Sequence, residues 1–123
     1  TYWKQQRFFA DLRRMPALHI ILAHMRKTNQ GGKVQYSGKC DDIHLAIDMV
    51  SFAYENLYDT AILVSGAGDF EPAIKRVQKL GKSVENAYFT ISRSSLLKQV
   101  SDTSIVLDDI VTKCLKSGDK KDK

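Results

Sequence analysis

The sequence predicts an α/β fold of three layers, a mainly parallel central sheet with helices on both faces. Three observations carry this. Thr60-Ala61-Ile62-Leu63-Val64-Ser65 is apolar, rich in β-branched residues and stopped by Gly66, as a strand of a buried parallel sheet should be. Between Ile43 and Leu57 the apolar residues fall at helical spacing. Strand-like and helix-like segments then alternate with short connections, as crossover helices joining parallel strands require.

Taken in order, residues 2–14 read as a helix with Trp3, Phe8, Phe9 and Leu12 among basic positions, stopped by Pro16. Leu18-His19-Ile20-Ile21-Leu22-Ala23 suits a short strand buried on both faces, and Asn29-Gln30-Gly31-Gly32 is the strongest loop signal in the chain. Val34-Gln35-Tyr36 fits either a brief strand or an extended loop. From Ile43 the apolar residues cover most of the helical circumference, which predicts a well-buried helix. After the Thr60–Ser65 strand, a helix is expected from about Phe70 to Leu80, with Gly81 just past its end. A strand from Ser83 to Phe89, a helix from Ser94 to Val100, a strand from Ser104 to Leu107 and a helix from Asp108 to Leu115 follow. Residues 1–115 thus form one expected domain. The basic tail 116–123 has nothing to bury and is expected to be mobile.

With 123 residues and 43% apolar positions, the chain can close one modest core, and the recurrent apolar runs argue against disorder. No run approaches the roughly 20 apolar residues of a membrane-spanning helix, and the N-terminus has no basic-then-apolar leader. No membrane partner is expected. Two cysteines, Cys40 and Cys114, cannot make a disulfide framework, which fits a reduced, cytoplasmic setting.

The net charge of +5 is unevenly spread. Residues 1–39 carry eight basic groups against Asp11 alone, whereas residues 40–74 carry seven acids and no Lys or Arg. Such an acidic block in a basic chain fits carboxylates that hold a divalent cation while the surround attracts a polyanion. It fits equally a solvated helix face and acids at helix starts.

Ligands of parallel sheets gather at the carboxyl ends of the strands, and Ser65-Gly66-Ala67-Gly68-Asp69 stands at such an end. Asp69 opens the next helix, and Asp42 immediately precedes the Ile43 helix; each can be an N-cap or a metal ligand. Asp48, set among Ile47, Met49 and Val50, needs a partner, either a basic side chain or the same metal. Gly66-x-Gly68 is not a dinucleotide fingerprint, since Glu71 stands at the third glycine position. No P-loop, zinc-ligand spacing or Ser–His–Asp set occurs. Tyr36, Tyr88 and Phe89 are available to stack on bases.

Lys39-Cys40-Asp41-Asp42-Ile43-His44-Leu45-Ala46-Ile47-Asp48, then Tyr58-Asp59-Thr60-Ala61-Ile62-Leu63-Val64-Ser65-Gly66-Ala67-Gly68-Asp69-Phe70-Glu71-Pro72 and Gly81-Lys82-Ser83-Val84, resembles the NYN domain family, and more narrowly the LabA-like (DUF88) branch of the PIN-like nucleases. The resemblance implies a PIN-like, Rossmann-like fold and a ribonuclease dependent on Mg²⁺ or Mn²⁺. It makes Asp42 and Asp69 the metal acids and Asp48 a supporting acid. RNA, single-stranded by expectation, would meet Ser65 and the basic residues Arg26, Lys27, Lys33 and Lys39; a homodimer is compatible with the pattern. The chain departs from the family pattern at Ala67, where the family has Asp, and begins within the helix that follows the family's Asp-x-x-Asn strand. Ala67 implies a weakened or inactive nuclease; the second departure implies the same if that edge of the pocket is absent, or else that the chain is a fragment. The alternatives are a non-catalytic module that binds RNA or a protein, and a nucleotide-binding domain with its phosphate near Gly66 and Gly68.

Overall fold

The computed structural model describes residues 1–22, 24–39 and 41–121. The chain divides into two compact units, Thr1–Asp41 and Asp42–Lys123.

The first unit opens with helix α1, Tyr2–Arg13, whose start is capped by the Thr1 hydroxyl accepting from the Lys4 N–H at 3.4 Å. The expected strand at Leu18–Ala23 does not form over its described part. Residues 18–22 carry no regular structure, Leu18, Ile21 and Leu22 are exposed, and Ala23 lies outside the described residues. Strand β1, His24–Gln30, instead pairs antiparallel with β2, Lys33–Lys39, from His24 opposite Lys39 to Gln30 opposite Lys33. Gly31 and Gly32 turn the hairpin, both at positive φ (59° and 79°), where a two-residue loop matching the strand twist needs them. A local turn of this kind supplies β1 with a partner at low loop-closure cost, whereas the apolar run before it has no ladder to join. Val34-Gln35-Tyr36, open between strand and loop in the sequence, is strand.

The second unit is the α/β body. Helix α2, Asp41–Tyr54, ends with Asn56 at φ 60°, where the Asn56 N–H reaches the Ala53 carbonyl and the Leu57 N–H the Phe52 carbonyl (3.1 and 2.9 Å). Strand β3, Thr60–Val64, leads through a 3₁₀ turn, Gly68–Phe70, into helix α3, Glu71–Lys79. Gly81 closes α3 as expected, at φ 85°. Then come β4 (Ser83–Tyr88), a 3₁₀ turn (Thr90–Ser92), α4 (Ser95–Val100), β5 (Thr103–Val106) and α5 (Asp108–Lys121). The three strands form a parallel sheet in the order β3-β4-β5, with Thr60 opposite Ser83 and Glu85 opposite Thr103.

Alternation in β3 buries Leu63 and leaves Ile62 and Val64 each 61% exposed on the other face. Leu63 joins Met49 and Ala53 of α2, Phe70, Ile74 and Val77 around α3, Val84 of β4 and Leu97 of α4 in one core. The prediction of a buried α2 is corrected. Only Met49 and Ala53 are buried, while Ile43, Leu45, Ile47 and Phe52 are exposed, because the unit offers this helix one face to pack on. Helix α5 continues to Lys121, past the end expected at Leu115, with Asp108 and Asp109 in its first turn, where the helix dipole favours acids. Among the described residues no helix is long and apolar enough to cross a membrane.

Candidate metal centre

Parallel strands bring the segments after β3, β4 and β5 to one end of the sheet. The β3 exit is held by backbone and side-chain bonds together. The Ser65 N–H donates to the Ala87 carbonyl at 3.2 Å, and the Ser65 hydroxyl accepts from the Ala67 N–H at 3.0 Å. From β4, the Asn86 side-chain amide donates to the carbonyls of Leu63 (3.1 Å) and Ser65 (2.9 Å). Asn86 is 1% exposed, and its Oδ1 has no partner among the described residues. An amide in the middle of a strand was the available sequence signal, since strands are depleted in Asn.

This exit delivers Asp69 to the 3₁₀ turn. Asp69 and Asp42 line the same hollow of about 240 Å³, together with Ile43, Ala46 and Phe70. The structure therefore brings together the two acids that the sequence singled out. Neither serves as a helix cap. Helix α2 starts at Asp41, so Asp42 lies within its first turn, and neither the 3₁₀ turn nor α3 has a side-chain cap bond. Both carboxylates are exposed and accept no hydrogen bond among the described residues.

Asp48 does not line the hollow; it is half-buried on α2, six residues and about 9 Å of helix rise from Asp42. Ala67 is half-buried and packs against the core, so this position offers the hollow no oxygen. Ser65 is outside the lining and its oxygen holds the turn at Ala67. Arg26, Lys27, Lys33 and Lys39 belong to the hairpin of the first unit, where Lys27 and Lys33 are exposed and the side chains of Arg26 and Lys39 lie outside the described residues. Tyr88 is buried, which removes it as a base-stacking surface, and Phe89 is exposed.

Two carboxylates suit Mg²⁺ or Mn²⁺, hard cations that accept oxygen ligands; Mg²⁺ keeps several waters when only one or two carboxylates hold it. Among the described residues no group of three or more His, Cys, Asp or Glu gathers to hold a metal. The donor set therefore fits a hydrated, weakly held cation and not a closed structural site.

Ligands of open α/β sheets bind outside the carboxyl ends of the strands, and the acid-lined hollow stands beside such an end. The chain matches the NYN domain model over residues 1–108 and belongs to that family, within the PIN-like nuclease superfamily, whose NYN members are typically nucleases. In structure it is similar to a crystal structure of a protein of unknown function from Vibrio parahaemolyticus. The TM-score is 0.61 at 26% identity, over 86% of this chain and 62% of that one. No curated protein matches.

Proposed function

We propose that this chain is a ribonuclease domain of the LabA-like (DUF88) branch, dependent on Mg²⁺ or Mn²⁺, acting on single-stranded RNA and weakened by Ala67. One observation carries the reading: Asp42 and Asp69 line one hollow with neither carboxylate engaged by a hydrogen bond among the described residues. Acids spared from capping remain available to a ligand.

In this reading Asp42 and Asp69 hold the cation through their carboxylate oxygens. When bound, Mg²⁺ or Mn²⁺ supplies an activated water and offsets charge on the transferring phosphoryl group. Ile43, Ala46 and Phe70 give the hollow apolar walls, which strengthen charge interactions within it. Ser65 fixes the β3 exit so that Asp69 stays aimed at the shared space. Asp48, half-buried on the same helix as Asp42, is assigned a supporting role. The lysines and arginines of residues 1–39 hold the RNA backbone.

A second reading is a pseudonuclease that binds RNA without cleaving it. Ala67 favours it, since an octahedral cation with two protein oxygens is held loosely. The test is a Mn²⁺ titration followed by calorimetry, with cleavage of a labelled single-stranded RNA read in parallel. The wild type should bind Mn²⁺, and Asp42→Asn or Asp69→Asn should weaken binding about tenfold, as loss of a charged ligand does. Metal binding without cleavage selects the pseudonuclease. A wild type that takes up no Mn²⁺, or variants that bind it equally well, ends the metal assignment.

A further inference from the structure

The strand exits that hold the acids also hold a second loop. The 3₁₀ turn Thr90–Ser92 and its continuation to Ser94 lie against the β3 exit. A Cβ added to Gly66 would collide with the Ser92 carbonyl oxygen, and one added to Gly68 would stand 3.4 Å from the Ser94 hydroxyl. Arg93 sits between these two contact points, and its side chain is exposed.

We propose that Arg93 is a phosphate-binding residue of this chain, engaging the backbone of single-stranded RNA beside the Asp42–Asp69 hollow; the inference rests on the RNA reading above. The carboxyl end of the sheet carries Asp42, Asp69, Asp108 and Asp109, a concentration of negative charge that repels a polyanion unless a cation stands with it. Asp108 is already engaged, its Oδ1 accepting the Thr90 N–H at 3.0 Å. Elsewhere in this unit Lys75 pairs with Glu71 at 2.6 Å and Lys82 with Asp59 at 3.5 Å. Arg93 has no ion pair among the described residues, so its guanidinium fork is available to phosphate oxygens.

The loop is built before any ligand arrives. Besides the Asp108 bond, the Ser92 N–H donates to the Phe89 carbonyl at 3.0 Å, the Arg93 N–H to the Thr90 carbonyl at 3.4 Å, and the Leu97 N–H to the Ser94 hydroxyl at 3.3 Å. With its backbone fixed, Arg93 loses less freedom on binding than a side chain on a loose loop. The same loop projects Ile91, 98% exposed, and Phe89, also exposed. Neither helps close the core, and Phe89 offers a ring to a base next to the phosphate that Arg93 would hold.

Anisotropy of a labelled single-stranded oligoribonucleotide, measured in EDTA across a salt series, tests this apart from the metal chemistry. Lys79→Ala is the comparison, because α3 runs from the carboxyl end of β3 back to the amino end of β4 and Lys79 closes it, exposed and remote from the strand exits. Arg93→Ala should weaken binding about fivefold near 50 mM salt and reduce the slope of log affinity against log salt by about 0.7. Arg93→Lys should retain part of the affinity, and Lys79→Ala should cost less than half as much as Arg93→Ala. Unchanged binding by Arg93→Ala, or an equal loss in Lys79→Ala, overturns the assignment. If the Arg93 effect is present but no variant binds Mn²⁺ or cleaves RNA, the nuclease reading fails and Arg93 keeps its role. Absence of RNA binding by the wild type in EDTA overturns the Arg93 assignment and leaves the nuclease reading to the Mn²⁺ titration.

Discussion

Asn86 of β4 ties two carbonyls of the β3 exit together, donating to Ser65 at 2.9 Å and to Leu63 at 3.1 Å. The bond to Ser65 is made one residue before the Gly66 turn, so a buried amide on one strand sets where the neighbouring strand releases the loop that carries Asp69. Asn86→Leu, alike in side-chain branching but bulkier and lacking the donor, should cost about 2 kcal/mol in urea unfolding. Asn86→Asp should be worse at neutral pH, since a carboxylate then faces two carbonyl oxygens, and should recover on acidification as the protonated acid regains a donor. An Asn86→Asp variant as stable as the wild type at pH 7 would remove the brace.

Gly66 is fixed by a neighbour and not by its own dihedral angles. The Cβ of an alanine there would collide with the Ser92 carbonyl oxygen and lie 2.9 Å from its carbonyl carbon, and backbone does not yield as a side-chain tip does. Gly66→Ala should therefore cost about 3 kcal/mol, at the upper end for overpacking. It should also displace the β3 exit from the Thr90–Ser94 loop. Gly68→Ala meets only side-chain atoms, the Ser94 hydroxyl at 3.4 Å and the Leu96 side chain at 3.6 Å and beyond, and should cost less than half as much. Equal losses in the two variants, read from denaturant midpoints, would contradict this packing.

Most elements of the second unit were legible because each carries its own local signal. Gly81 marks the end of α3, Ser94 caps α4, and the β-branched run Thr60–Val64 has no helical alternative. The pairing of Asp42 with Asp69 was legible as well, since two acids at the edges of elements in a βα array are placed by topology. What was not legible depended on partners distant in the chain. Leu18–Leu22 has the composition of a buried strand but no neighbour to pair with, and the Gly31-Gly32 turn assigned the hydrogen bonds to His24–Gln30 instead. The exposure of Ile43, Leu45 and Ile47 is a property of what surrounds α2, which periodicity does not report. Nothing near Gly66 in the sequence announces Ser92.

Asp102 makes the fold sensitive to acid. Its Oδ2 accepts the Val84 N–H at 2.8 Å and the Gln78 amide at 3.2 Å, and these bonds, that of Val84 first, hold its pKa below the ordinary 3.8. Since the folded pKa lies below the unfolded one, the contribution to stability is complete above about pH 4 and is lost as pH falls through the folded value. Asp102→Asn should thus show a lower urea midpoint than the wild type, by a constant gap between pH 7 and about pH 5 that narrows below about pH 4. A gap that persists unchanged into strong acid would show that charge is not what Asp102 supplies.

Restoring a carboxylate at position 67 separates a disabled metal centre from a surface that never held one. Ala67 packs half-buried against the core, and its N–H is fixed on the Ser65 hydroxyl, so a new side chain starts from a defined backbone position. Without a cation, Ala67→Asp puts a carboxylate at a half-buried position two residues before Asp69, adding like charge there and partly removing it from water. Both effects oppose the charged form and should cost about 1–2 kcal/mol at neutral pH. A divalent cation that binds only the folded chain reverses this through mass action, by about 2.7 kcal/mol at a hundredfold excess over Kd. Melting followed with and without Mn²⁺ should show Ala67→Asp less stable than the wild type in EDTA and gaining more on Mn²⁺ addition, with cleavage of single-stranded RNA rising alongside. The extra gain should vanish in Ala67→Asp combined with Asp69→Asn. If Mn²⁺ raises the melting temperature of the wild type and Ala67→Asp equally, position 67 contributes nothing to a cation, and the explanation of weakened activity through Ala67 falls with it.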